Sequence, residues 1–132
     1  MTGRVVHFEV PYDDGDRARA FYAGVFGWDI ASMPEFDYHF VQTGPTQENG
    51  MPTELGYIGG GMFQRQDDIS RPIITIDVDD MTAALAAVAE NGGAAVGEPQ
   101  PVGDMGVAAY FTDSEGNLMG LWQTTGQTSG AS

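Results

Sequence analysis

An internal repeat constrains this chain more than any other feature. Residues 4–28 read RVVHFEVPYDDGDRARAFYAGVFGW, and residues 71–96 read RPIITIDVDDMTAALAAVAENGGAAV. When His7 is laid on Ile73, a shift of 66 residues, Val10 falls on Ile76, Asp13 on Asp79, Asp14 on Asp80 and Gly27 on Gly93. The shift is half of the 132-residue length. Each copy holds a β-prone run, an Asp-Asp break, a helical pattern and a closing glycine, so the chain reads as one β-α-then-strands unit written twice.

Local physics fills in each copy. Val5 to Val10 have strand composition, with His7 and Glu9 on one side of the pleat and Val6, Phe8 and Val10 on the other. Asp16 is the predicted N-cap of a helix whose packing face is Ala18, Phe21, Tyr22, Val25 and Phe26, with Gly27 as its C-terminal glycine. Strands are predicted at 29–33, 36–41 and 56–63, around a loop at 43–56 that is long enough for a flap or a subunit contact. Gly59, Gly60 and Gly61 weaken the last of these strands, so a strand there implies close approach by a backbone or a ligand. In the second copy a strand is predicted at 72–78 and a helix at 81–91 that packs through Leu85 and Val88. Residues 94–105 carry Pro99 and Pro101, which allow at best an edge strand. Strands at 106–112 and 118–123 flank the turn Asp113–Asn117, and 124–132 read as a flexible tail. The expectation is one domain, with a first module at about 4–63 and a second at about 71–123.

Charge and composition remove whole classes of function. Lys and Arg number 5 against 19 Asp and Glu, a net charge of −14. Nucleic acid and anionic membrane surfaces call for a basic footprint that this chain lacks. No apolar run approaches the roughly 18 residues of a membrane span. The absence of cysteine removes disulfides, thiolate metal sites and cysteine nucleophiles together. MTGRVVHFEV has no apolar signal core, so a cytoplasmic protein is expected. No P-loop, dinucleotide fingerprint or G-x-S-x-G motif is present.

On these residues the chain resembles the vicinal oxygen chelate superfamily, which includes glyoxalase I, bleomycin-resistance proteins and extradiol dioxygenases. The resemblance lies in His7-Phe8-Glu9-Val10 before Asp13-Asp14, and in Ala20-Phe21-Tyr22 with Phe26-Gly27-Trp28. It continues in Ile76 to Asp80 and in Phe111 to Asn117, and covers about residues 5–123. It implies an α+β fold of tandem βαβββ modules, whose two curled mixed sheets form a cleft that a second subunit often completes. It also implies, in the metalloenzymes of the superfamily, a divalent metal held by residues from the first and last strand of each module.

Tested residue by residue, that metal site is depleted. His7 stands at the first ligand position, its repeat partner is Ile73, and the acidic ligand near the chain end falls on Gly120. The remaining position falls among Gly59, Gly60 and Gly61. Isoleucine and glycine offer no side-chain electron pair, so the usual cage cannot form and no cofactor is expected. Glu9 shares a face with His7, and the two are candidates for acid–base work with or without a metal. The predicted ligand pocket is lined by His7, Glu9, His39, Ile73, Thr75, Tyr110, Gly120 and Trp122. The reading is a homodimeric, metal-free protein that binds a small organic molecule. The alternative is a glyoxalase- or dioxygenase-like lyase, isomerase or oxygenase using His7 and Glu9.

Overall fold

The computed structural model describes residues 3–33, 38–47, 52–67 and 69–125, with the backbone alone for Met33. The chain runs β1 (Val5–Tyr12), α1 (Gly15–Phe26), β2 (Asp29–Met33), β3 (Tyr38–Gln42) and β4 (Gly60–Gln64). It continues through β5 (Ile73–Asp77), α2 (Met81–Glu90), β6 (Ala94–Val102), β7 (Gly106–Thr112) and β8 (Leu118–Thr124). This is an α+β fold of two βαβββ modules. Two compact units result: Val6–Ile73, and Ile74 onward together with the N-terminal residues through Val5. The predicted strand start at Phe36, residues 48–51 of the predicted loop and residues 126–132 of the predicted tail lie outside the described residues.

In the first unit the strand order is β2-β3-β4-β1, with β1 and β4 parallel and the other pairs antiparallel. β1 alternates as its sequence dictates. Phe8, Val10 and Tyr12 face α1 and pack with Ala18, Tyr22, Trp28, Ile30, Val41 and Met62. Met62 is fully buried and Val41 is 2% exposed. The glycine run is explained by this packing. Gly60 pairs with Phe8, and a Cβ on it would stand 2.6 Å from the Phe8 ring and from the Phe8 carbonyl oxygen.

Two expectations for α1 are corrected. Its N-cap is Asp14, not Asp16: Asp14 has extended backbone, and its carboxylate accepts from the Arg17 N–H at 3.1 Å. Asp16 lies in the first turn, where its charge favours the helix dipole. The packing face is also narrower than predicted. Ala18 and Tyr22 meet the core, whereas Phe21, Val25 and Phe26 are each more than half exposed. Tyr22 instead stacks on Trp28 with ring centroids 4.9 Å apart. Gly27 closes the helix in the left-handed region, as predicted.

The second unit repeats the plan with strand order β5-β8-β7-β6 and β5 parallel to β8. Its core is Val78, Met81, Ala109, Phe111 and Leu121, with Ile76, Leu85 and Val88 packed against it. Asp80 caps α2 through the Ala83 N–H at 3.1 Å. The repeat fails at the other end of that helix. Asn91 is the C-cap and Gly92, not Gly93, takes the positive φ of 97°. β6 is the outer strand of this sheet, and its register slips between Val96 and Gln100, next to its prolines. Asp113 knits the following turn by accepting from the backbone N–H groups of Glu115 and Asn117. Its bonds from Asn117, side chain first, hold its carboxyl below the ordinary value.

Candidate functional site

The site is built on the face of the first unit's sheet that α1 does not cover. Strand alternation puts His7, Glu9 and Pro11 there from β1, and Tyr38 and Phe40 from β3. The pairings Glu9↔Gly61, Pro11↔Phe63 and Phe40↔Gly61 add Gly61 and Phe63 from β4.

One hydroxyl organises this face. Tyr38 Oη donates to Glu9 Oε2 at 2.8 Å and lies 2.8 Å from His7 Nε2. Once the phenol proton is given to Glu9, only lone pairs are left for the imidazole. His7 Nε2 therefore carries its ring proton and donates, and Nδ1 holds the lone pair. The His7 and Tyr38 rings are inclined by only 15° with centroids 6.4 Å apart. The two rings are thus nearly parallel and joined by the hydrogen bond between Nε2 and Oη. Phe40 meets the Tyr38 ring edge-on at 5.4 Å, and Phe63 lies at 6.3 Å. Glu9 is a buried carboxylate, 8% exposed, and burial also lowers the His7 pKa to about 4, so the imidazole is neutral at physiological pH.

Gly61 admits this arrangement. A Cβ on it would overlap the Tyr38 hydroxyl. The close approach that the glycine run implied is therefore made by the protein's own side chains, Phe8 at Gly60 and Tyr38 at Gly61.

The predicted site residues fall into three places. His7 and Glu9 come together through Tyr38. His39 does not join them: it pairs with Met62 on the α1 side of the sheet, with its ring 5.7 Å from that of Tyr12. One step along a strand reverses the face, and this parity puts Tyr38 rather than His39 beside His7. In the second unit, Thr75, Gly120 and Tyr110 are laterally paired on one face, with Trp122 two residues beyond Gly120. Trp122 is half-buried, donates to Thr124 Oγ1 at 3.0 Å and lies over Gly106. Ile73, at the head of β5, is 1% exposed.

Register also settles the position that sequence left open among three glycines. Glu9 pairs with Gly61 as its repeat partner Thr75 pairs with Gly120, so Gly61 is the first module's counterpart of Gly120. Of the first module's two corresponding positions, His7 and Gly61, only His7 has a donor, with its Nε2 engaged by Tyr38, and the second module's Ile73 and Gly120 have none. Among the described residues, no three His, Cys, Asp or Glu side chains are placed to hold an ion. The residues present do not fit the superfamily's metal. No helix among them is long and apolar enough to cross a membrane.

Comparison with known proteins follows the same line. The family model described as bleomycin resistance protein-like N-terminal matches residues 4–44. A glyoxylase-like domain-containing protein from Didymella fabae is 27% identical, with 96% of this chain aligned to 98% of that protein. Among solved structures, a hypothetical protein from Bacillus halodurans superposes with a TM-score of 0.64 at 15% identity, covering 98% of this chain and 99% of that one. A Streptomyces coelicolor methylmalonyl-CoA epimerase bound to 2-nitronate-propionyl-CoA gives 0.64 at 16% identity, over 98% and 99% of the two chains. With its paired βαβββ modules, the chain has the fold of the vicinal oxygen chelate superfamily, and its sequence is similar to glyoxalase-like and bleomycin-resistance-like proteins.

Proposed function

We propose that this protein binds a small organic molecule without a metal, on the face of the first module's sheet that carries His7, Glu9 and Tyr38. The observation behind this reading is the hydrogen-bonded line His7–Tyr38–Glu9, set among Phe40 and Phe63. A few convergent polar groups within aromatic walls are the ordinary composition of a small-molecule seat. The net charge of −14 would draw a cationic ligand, and sequestration of a basic drug-like compound is one form the function would take. The reading carries with it a cytoplasmic homodimer, on the strength of the superfamily resemblance and the lack of cysteine. Thermal-shift screening of small aromatic amines tests it: a compound at 100 times its dissociation constant raises stability by about 2.7 kcal/mol. The shift should shrink in Tyr38→Phe. Shifts that survive this change unaltered would put the seat elsewhere.

A second reading is favoured by the same line of hydrogen bonds. Phenol, neutral imidazole and carboxylate in series can pass a proton, as an isomerase or lyase requires. Hydrogen–deuterium exchange into a bound carbonyl compound would distinguish this reading from binding alone.

A further inference from the structure

We infer that Tyr38 Oη occupies the point at which His7 and Glu9 converge, shutting that point to divalent cations, and that Gly61 is the residue that lets it in. This deepens the metal-independent part of the reading above, and it stands or falls separately from the identity of any organic ligand.

His7 and Glu9 are two residues apart on one strand face, and both turn their polar atoms to a single oxygen at 2.8 Å. An ion shared by an imidazole nitrogen and a carboxylate oxygen sits between them at about 2.0–2.2 Å from each. The phenol oxygen is thus where such an ion would be, with each ligand drawn back by the difference between a hydrogen bond and a coordination bond. The protonation pattern closes the point further, because His7 Nε2 carries a hydrogen towards Tyr38 and has no lone pair to give. Access for the phenol depends on position 61. Gly61 is the lateral neighbour of Glu9, and any side chain there would displace the Tyr38 hydroxyl. The glycine and the tyrosine therefore act together, the first by leaving the space and the second by filling it. The second unit has the glycine without the polar cluster: Gly120 lies beside Thr75, and Tyr110 is its neighbour on β7.

The test is calorimetric titration of Zn2+ into the wild-type protein, Tyr38→Phe, Gly61→Ala and the double variant Tyr38→Phe/His7→Gln, at pH 7 in a weakly coordinating buffer. Tyr38→Phe keeps the ring and removes only the oxygen, and should bind one equivalent of Zn2+ at least ten-fold more tightly than wild type. The double variant should lose that gain. Gly61→Ala reaches the same end without touching Tyr38, and should move affinity in the same direction. Far-ultraviolet circular dichroism of each variant checks that the fold is retained. Wild-type protein that already binds one equivalent as tightly as Tyr38→Phe would overturn the inference. So would a Tyr38→Phe variant that gains nothing, or a gain that survives loss of His7. A failed ligand screen leaves all of these outcomes unchanged.

Discussion

The two modules share a chain plan and differ in what they place on the sheet face away from the helix. In the first, β1 and β4 bring a histidine and a buried carboxylate around a glycine filled by a tyrosine hydroxyl. In the second, the same lateral positions are Ile73, Thr75 and Gly120. The scaffolding around them is held in common to a fine level. Asp14 and Asp80 cap their helices with the same bond length and nearly the same backbone angles. Three residues past each of the paired glycines stands a glutamine that ties the last strand to the approach to its helix. Gln64 Nε2 donates to the Asp13 carbonyl, and Gln123 Oε1 accepts from the Met81 N–H at 2.6 Å. Duplication thus preserved caps, registers and strand-to-helix ties, while the open faces diverged. Backbone pairing constrains the first set, and only chemistry constrains the second.

Breaking the cores is the strongest test of that equivalence. Met62→Ala in the first unit and Leu121→Ala in the second both empty a buried site, and each should cost about 2–5 kcal/mol by chemical denaturation. If one substitution were nearly silent, the two cores would not be equally structural.

Acid should separate the modules. His7 titrates near 6.5 when unfolded and near 4 when folded, because burial disfavours its charged form. Between these values the unfolded chain takes up a proton that the native state refuses. His7 therefore costs nothing above about pH 6.5, and stability falls as the pH drops through the window, by on the order of 3 kcal/mol once below about 4. Its counterpart Ile73 has no such effect. The difference between wild type and His7→Gln in denaturation curves from pH 7 to pH 4 isolates this contribution, and parallel curves would contradict it.

The smallest and most matched effect belongs to the caps. Asp14→Ala and Asp80→Ala should each cost about 1 kcal/mol, since each removes one side-chain acceptor from a helix start. Clearly unequal losses would sharpen the comparison by showing that one helix depends more on its cap. α1, which has no fully buried residue, is then the one to watch.

Much of this was legible in the sequence, because repeats, caps and alternation are local. The shift that set Asp14 on Asp80 marked the break before each helix, although the first cap, expected at Asp16, is Asp14, and β1 alternation correctly set His7 and Glu9 opposite Phe8 and Val10. The hidden part was lateral. Nothing along FDYHFV says which of Tyr38 and His39 faces β1, since that depends on how β3 pairs with β4. The contact with His7 is made by Tyr38, while His39, the next residue along the strand, lies on the opposite face. The breadth of the α1 apolar stripe misled for a similar reason: periodicity marks a face, and tertiary packing decides how much of it is covered, here Ala18 and Tyr22 but not Phe21, Val25 or Phe26.

The irregular rim formed by β6 has a consequence for how the protein behaves when concentrated. Pro99 and Pro101 have no amide hydrogen to offer, and the slipped register bends the strand between Val96 and Gln100. A visiting strand from another molecule would find gaps where a continuous ladder is needed, so growth of fibres from that border is blocked at the first step.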